Sequence, residues 1–236
     1  MNNPIMIFND QINNDIYLLR GRSKSAFHPI KRDIRKNGSS YRIRKNDRGL
    51  LTIQQPIGFK TKTDEKHIEV VEKLTNWLVT DDWTRLSFSD EPGRIYLAVL
   101  QEGIDLEKIA WLREGTLSFV AKETLGQQEI INVTSTTTTD NIVGQEKTPW
   151  IVEVTFTQNT SSFELTTNQG LYVLLGYQFI AGDNLVIKYD GREVLLNGHD
   201  LRSAVRLKTN YELLQPGTID ISASHDCTLT YDERFH

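Results

Sequence analysis

From Trp150 to the C-terminus almost every segment alternates apolar and polar residues with a period of two, and turn signals interrupt the alternation at short intervals. Ile151, Glu153 and Thr155 oppose Val152, Val154 and Phe156, and the runs 171–175, 185–189, 194–196 and 228–231 behave alike. Successive side chains of a strand point to opposite faces, so this pattern predicts half-buried strands and excludes a helical reading. Asp190-Gly191 and Asn197-Gly198 are two-residue hairpin signals, because type I′ turns need the positive φ that these residues tolerate. Pro216-Gly217 marks a further turn. Residues 149–236 are therefore expected to fold as an antiparallel β-sandwich.

The first half is mixed. Residues 1–60 join short apolar alternations through turn signals at Asn13-Asn14, Asn37-Gly38 and 47–49, and the run to Phe59 predicts a strand. One convincing helix follows. Asp64 is a good N-cap with Glu65 behind it, Ile68, Val71, Leu74, Trp77 and Leu78 recur at three-to-four spacing, and Asp81-Asp82 ends the pattern. Two strands then flank an acidic turn, Asp90-Glu91-Pro92-Gly93: Leu86 and Phe88 alternate before it, and Ile95, Leu97 and Val99 after it. A turn region over 105–114, with Trp111 on the core, leads to a strand from Gly115 to Ala121. Composition then turns polar and Thr-rich around Thr134–Thr139. This predicts a first domain over 1–125 and a linker over 126–148, although a Thr run also has high β propensity and fits an extended strand. The fold class expected is mainly β with one principal helix: an α+β domain of sandwich plus helix, then a second sandwich.

Charge is unevenly placed. Between Arg20 and Arg48 eleven Lys and Arg face two carboxylates, a segment of +9; sixteen cations and twenty-nine carboxylates elsewhere leave −13. A basic segment on an acidic body can bind nucleic acid, pair with a neighbouring identical subunit, or form a solvated face. Few aromatics accompany the cations and no nucleic-acid motif is present, so specific nucleic-acid binding is not expected. No apolar run approaches the ~18 residues that span a bilayer, and 4–8 is too short for a signal core, so no membrane partner is expected.

Catalytic signatures are missing. The sequence holds no Gly-rich phosphate loop, no Gly-x-Ser-x-Gly elbow and no His-Glu-x-x-His. His28, His67, His199, His225 and His236 are scattered, and the single Cys227 excludes an intrachain disulfide. Asp81-Asp82 and Asp90-Glu91 read better as turn and helix-flanking groups than as a catalytic pair. The aromatics of the second domain, from Phe156 to Phe235, fall mostly at core strand positions. No catalytic, cofactor or metal residues are expected.

Several segments in fixed order carry a family resemblance: Arg20-Gly-Arg22, Asn76-Trp77-Leu78 and Leu86 to Tyr96 in the first half; then Ala181 to Ile187, Arg192 to Gly198, Tyr211 to Pro216 and Leu229 to Phe235. Together they resemble the distal tail proteins of long-tailed, non-contractile bacteriophages and their prophages. The resemblance implies a structural hub rather than an enzyme, in which first domains form a hexameric ring at the end of the tail tube and a galectin- or carbohydrate-binding-module-like sandwich faces outward. It implies the tail tube protein and a tail-associated lysin or tail fibre protein as partners, the virion tail tip as location, and synthesis in the cytoplasm of the bacterial host. On this view residues 20–60 are a basic β-rich arm. Arg32, Arg35, Arg42, Arg44, Asp90 and Glu91 are expected at the inter-subunit interface, and Trp77, Phe88, Pro92, Tyr96, Asn197 and Gly198 as signature core residues. An alternative is a host-wall adhesin whose second domain binds cell-wall saccharide.

Overall fold

The structure is a computed structural model describing residues 4–60, 64–102 and 114–236, with side chains of the helix from Glu69 onward. The expected Asp64 cap, His67, Ile68, Trp111 and the turn over 105–113 lie outside the described residues. The chain divides into two units at Leu125/Gly126.

The first unit holds β1 (Met6–Phe8), β2 (Ile16–Leu18), β3 (Ser23–Lys24), β4 (Ile30–Asn37), β5 (Ser40–Arg48), β6 (Leu51–Phe59), α1 (Asp64–Leu78), β7 (Thr84–Phe88), β8 (Ile95–Glu102) and the first part of β9 (Glu114–Val133). Its sheet runs β1-β7-β8-β9, with β6 on the other side of β9 and β2 and β3 on β6. Leu86, Phe88, Phe119, Ile53 and Ile57 fill its core, and α1 adds Val70, Leu74, Trp77 and Leu78. The indole of Trp77 meets Phe8 edge-on at 6.1 Å and donates through Nε1 to the Phe8 carbonyl at 3.0 Å. An aromatic this large satisfies its N–H as well as its area there, which accounts for a Trp at the helix end.

The alternation expected in β8 is displaced by one residue. Tyr96 and Ala98 are buried, whereas Ile95, Leu97 and Val99 are only half-buried. The hairpin register causes this: Leu86 lies opposite Tyr96 and Thr84 opposite Ala98, and opposed residues share a face. Gly93 takes a positive φ of 72° in the intervening turn, as the Pro-Gly signal requires.

The second unit contains the rest of β9, β10 (Thr138–Ile142), β11 (Trp150–Thr155), β12 (Thr160–Thr167), β13 (Tyr172–Phe179), β14 (Asn184–Lys188), β15 (Glu193–Leu196), β16 (His199–Asp200), β17 (Gly217–Ala223) and β18 (Cys227–Phe235). One sheet has the order β9-β18-β11-β14-β15-β16 and the other β10-β17-β12-β13. Both contribute to a single core that includes Trp150, Phe156, Phe163, Leu165 and Leu229. Phe156, Phe163, Phe179 and Tyr231 are buried in it, as expected for core aromatics, and Tyr177 is the exposed one among the aromatics of this half. Cys227 is buried in β18, and burial pushes its thiol up to about 12.

Residues 126–148, expected as a linker, are largely β-structure. The strand β9 continues to Val133, and β10 pairs with β17 from Thr138 opposite Ile221 to Ile142 opposite Gly217. Hydroxyls knit the edge: Thr137 Oγ1 lies 2.9 Å from Ser222 Oγ, and Thr139 Oγ1 donates to Asp220 at 2.7 Å. Thr138 and Thr139 are strand residues with cross-strand partners, and residues 134–137 form the bend that joins β9 to β10, with Thr137 bonded to Ser222.

Asn197 and Gly198 form the two-residue turn their dipeptide predicts, with φ of 50° and 82° between the paired Leu196 and His199. Their context is a polar knot at the surface, tied to the buried Asp183. Asp183 accepts from the Ile180 N–H at 3.0 Å and from Asn197 Nδ2 at 2.8 Å, while Asn197 Oδ1 accepts from the Asn184 N–H at 2.9 Å. Asp190-Gly191 also closes a hairpin, but through a longer loop: Lys188 pairs with Glu193, so four residues intervene and Gly191 and Arg192 take positive φ.

Candidate functional site

Two linked features of the first unit stand out. One is the hairpin β4–β5, which forms a two-stranded sheet of its own and in which every residue is exposed. Its two-residue loop is Gly38-Ser39, with Gly38 at φ 63°. Lys31, Arg32, Arg35, Lys36, Arg42, Arg44, Lys45 and Arg48 stand against Asp33 and Asp47. Arg35 lies directly opposite Arg42, and Arg44 sits in the irregularity between the pairs Ile34–Ile43 and Asp33–Lys45.

Register sorts the side chains into two faces. Ile30, Arg32, Ile34 and Lys36 share one with Tyr41 and Ile43, and Lys31, Asp33 and Arg35 share the other with Arg42 and Lys45. Ile34 is 55% exposed, Ile43 51% and Tyr41 73%. Isolated two-stranded hairpins are marginal in water, and like charges placed opposite each other weaken them further. The hairpin thus leaves Ile34, Ile43 and Tyr41 uncovered on one face and sets Arg35 against Arg42 on the other.

The other feature is the root from which it rises. β3 pairs with β6 below the hairpin, and the Gly49 N–H donates to the Pro29 carbonyl at 2.6 Å. His28 is buried, with Nδ1 3.2 Å from the Gly49 carbonyl and Nε2 3.1 Å from Thr124 Oγ1. Arg22, the residue before β3, donates from Nε to Gln55 Oε1 at 2.7 Å, from Nη1 to Glu91 at 2.7 Å and from Nη2 to Asp90 at 2.9 Å. Its guanidinium carbon stands 3.6 Å from the centre of the Phe88 ring. Lys24 Nζ donates to Glu91 at 2.7 Å, and so does the Tyr96 hydroxyl at 2.6 Å.

Asp90 and Glu91, expected to face a neighbouring subunit, are therefore engaged by Arg22 and Lys24 of their own chain. The four arginines lie on the exposed hairpin, and Trp77, Phe88 and Tyr96 lie in the first core. Pro92 is in the acidic turn, whose Glu91 N–H closes onto the Phe88 carbonyl at 3.0 Å. Arg22, Gln55 and His28 were not singled out as site residues from sequence. Arg22 was visible only as part of the Arg-Gly-Arg motif, since its partners lie 33 to 69 residues away.

The electrostatics make this a fastening and not an acid–base pair. Burial pushes the Glu91 carboxyl up, but hydrogen bonds from Lys24, Tyr96 and Arg22 outweigh it and bring it down to about 2. Burial and then the Glu91 carboxylate push the Tyr96 hydroxyl well above its ordinary value. Near neutral pH neither group exchanges a proton. No group of three or more His, Cys, Asp or Glu side chains placed to hold a metal occurs among the described residues.

An acid dependence follows. A depressed carboxyl contributes stability that is fully present above its ordinary value of 4.5 and is lost as pH falls through about 2. With the Glu91 side chain 21% exposed, solvent screening reduces the full linkage value to about 2 kcal/mol. Urea titrations of the first unit at stepped pH should show this loss in the native chain. The Glu91→Gln variant, less stable at pH 7, should show a correspondingly flatter profile; parallel profiles would contradict the assignment.

Comparison with known proteins gives these features a setting. Residues 36–121 match the family model of the phage tail protein RIFT-related domain, and residues 143–235 that of the siphovirus-type tail component, C-terminal domain. The distal tail protein of Bacillus phage SPP1 is 26% identical over 185 residues, covering 75% of this chain and 72% of that protein. The crystal structure of SPP1 Dit, described as a paradigm of the hub adsorption apparatus in phages infecting Gram-positive bacteria, superposes with a TM-score of 0.85 at 18% identity over 99% of both chains. A chain from the phage P2 baseplate in its activated conformation with Ca gives 0.63 at 7% identity over 98% of both. With both tail-protein domain models matched in order and a full-length likeness in fold, the chain is a homologue of the siphophage distal tail protein of SPP1.

Proposed function

We propose that this chain is the hub at the distal end of a siphophage tail tube, a non-enzymatic structural protein of the virion made in the cytoplasm of the bacterial host. Six copies close a ring through their first units, and the second units carry the sandwich. One face of the ring meets the tail tube protein, and the other meets the tail-associated lysin or a tail fibre protein. The observation that carries this reading is the free-standing basic hairpin on an acidic chain. A ring contact is heterologous: it joins two different patches of the same surface, and opposite charges on them favour the correct partner. Asp90 and Glu91 serve this contact indirectly, by fixing the strand that leads into the hairpin.

Sedimentation of the purified chain tests the ring. The expected species has six times the 27.1 kDa chain mass and a closed outline in negative stain. A monomer persisting at the highest attainable concentration is the contrary result. The saccharide-binding alternative draws little support from the sandwich, where Tyr177 is the exposed ring among aromatics otherwise committed wholly or partly to packing.

A further inference from the structure

The sequence contains two Asn-Gly pairs, and the fold treats them oppositely. Asn37-Gly38 stands at the tip of the β4–β5 hairpin, where Asn37 is exposed and its side-chain amide has no hydrogen-bond partner among the described residues. Nothing lies within 4 Å of the place a Cβ would take on Gly38, so approach to its nitrogen is unobstructed from that side. The Ser40 hydroxyl donates to the Asn37 carbonyl at 3.0 Å. That bond draws electron density from the peptide unit to which the Gly38 nitrogen belongs, and eases loss of its proton. The tip is also cationic: Arg35, Lys36, Arg42 and Arg44 line an open cleft of about 440 Å³ with Asn37, and no carboxylate lines it. Arg42 and Arg44 have no ion pair among the described residues, and the one from Arg35 to Asp33 is 3.9 Å long. Asn197 is exposed too, but its amide donates to Asp183 at 2.8 Å and accepts from the Asn184 N–H at 2.9 Å.

We infer that Asn37 is a self-modification site, converted by its own backbone into the carboxylate that the cationic cleft lacks. This goes beyond the hub reading and does not rest on it. The deprotonated Gly38 nitrogen attacks Asn37 Cγ, the new C–N bond closes a cyclic imide, and the side-chain nitrogen leaves as ammonia. Water then opens the imide at either carbonyl carbon. Breaking the new bond restores an ordinary backbone with aspartate at position 37. Breaking the old peptide bond leaves isoaspartate, whose backbone runs one carbon longer through the side chain. The ammonia takes up the proton, no oxidant or reductant takes part, and either product gains one negative charge. Two features of the tip favour the reaction. The cations of the cleft stabilise negative charge as it develops on the attacking nitrogen and the amide oxygen. The free amide also turns toward Gly38 without first breaking the bonds that hold Asn197. Asn37 shares its face with Arg35 and Arg42, which oppose each other directly, so a carboxylate there offsets a like-charge pair that weakens the hairpin.

Incubation of the full chain in heavy-oxygen water, followed by proteolysis in ordinary water and peptide mass mapping, reads the conversion. Peptides holding Asn37 should take up heavy oxygen, as both aspartate and isoaspartate, at least about tenfold faster than those holding Asn197, the effect of the two bonds on the latter. The rate should rise with pH, because the attacking nitrogen must lose its proton. Asn37 left unlabelled, or labelled no faster than Asn197, overturns the modification site. The counterion role is read separately, by hydrogen exchange of the 30–48 amides in Asn37→Asp and Asn37→Ser at a dilution where the chain does not assemble. At low salt, exchange should be about twofold to fivefold slower in Asn37→Asp, the scale of one opposite-charge cross-strand contact, and the difference should fade at high salt. Equal exchange in the two variants at low salt overturns that role.

Discussion

Arg22→Ala is expected to cost the first unit about 3 kcal/mol, the usual scale for removing one partner of a largely buried ion pair. The guanidinium, 10% exposed, serves three acceptors and stacks on Phe88. Its loss leaves Gln55, which is fully buried, without its strongest donor, and leaves Glu91 to Lys24 and Tyr96 alone. Arg22→Lys should recover only part of the loss, because a single ammonium cannot present the planar fork that reaches Gln55, Asp90 and Glu91 together. Hydrogen exchange can read the effect locally. Amides of Ser23, Lys24 and the 86–96 hairpin should open together in Arg22→Ala. Unchanged protection there, with urea stability within ~0.5 kcal/mol of the native chain, is the scale of an ordinary surface substitution and would remove the latch from the account.

The second large effect concerns assembly. Reversing Arg32, Arg35, Arg42 and Arg44 to Glu turns the +9 segment into +1 while changing residues that the first unit's core does not use. Like charges brought together at an interface cost several kcal/mol, so assembly should weaken by about 100-fold or more at low salt. The folded unit itself should keep its melting temperature. Salt adds a second reading: a Debye length of ~8 Å at physiological ionic strength leaves close ion pairs partly effective and screens the rest. Native assembly should therefore weaken as salt rises and level off where the apolar face of the hairpin takes over. Assembly of the reversed variant equal to native, at low and high salt alike, contradicts the electrostatic contact.

Legibility in the sequence followed the range of the interactions. The Asn197-Gly198 turn was readable because its conformation is set by two adjacent residues. The helix was readable from spacing, although Val70 joined the buried face without having been assigned to it. Strand existence in the second half was equally plain. In β8 the local alternation pointed to Ile95, Leu97 and Val99, whereas the resemblance pointed to Tyr96, and cross-strand register puts Tyr96 inside. The Thr-rich stretch was open to two readings, and a partner strand some eighty residues away, β17, decided between them. Non-local pairing likewise hid the site: nothing near Asp90 and Glu91 in sequence announces Arg22. The exposed arginines of the hairpin were the exception, since a concentration of one charge is visible without knowing the fold.

The knot around Asn197 bears on how such a particle ages. Asn-Gly is the dipeptide most prone to losing its amide nitrogen, through attack of the following backbone nitrogen on the side chain. In this fold both ends of the Asn197 amide are held, by Asp183 and by the Asn184 N–H, and the side chain is not free to turn toward Gly198. Conversion to aspartate would also set a new carboxylate against Asp183, where the present amide donates a proton. A virion outlives the cell that made it and replaces none of its subunits. The bonds that shape this turn thus also serve as its preservative; at the exposed Asn37-Gly38 of the hairpin tip the Ser40 hydroxyl bonds the Asn37 backbone carbonyl and not its side-chain amide.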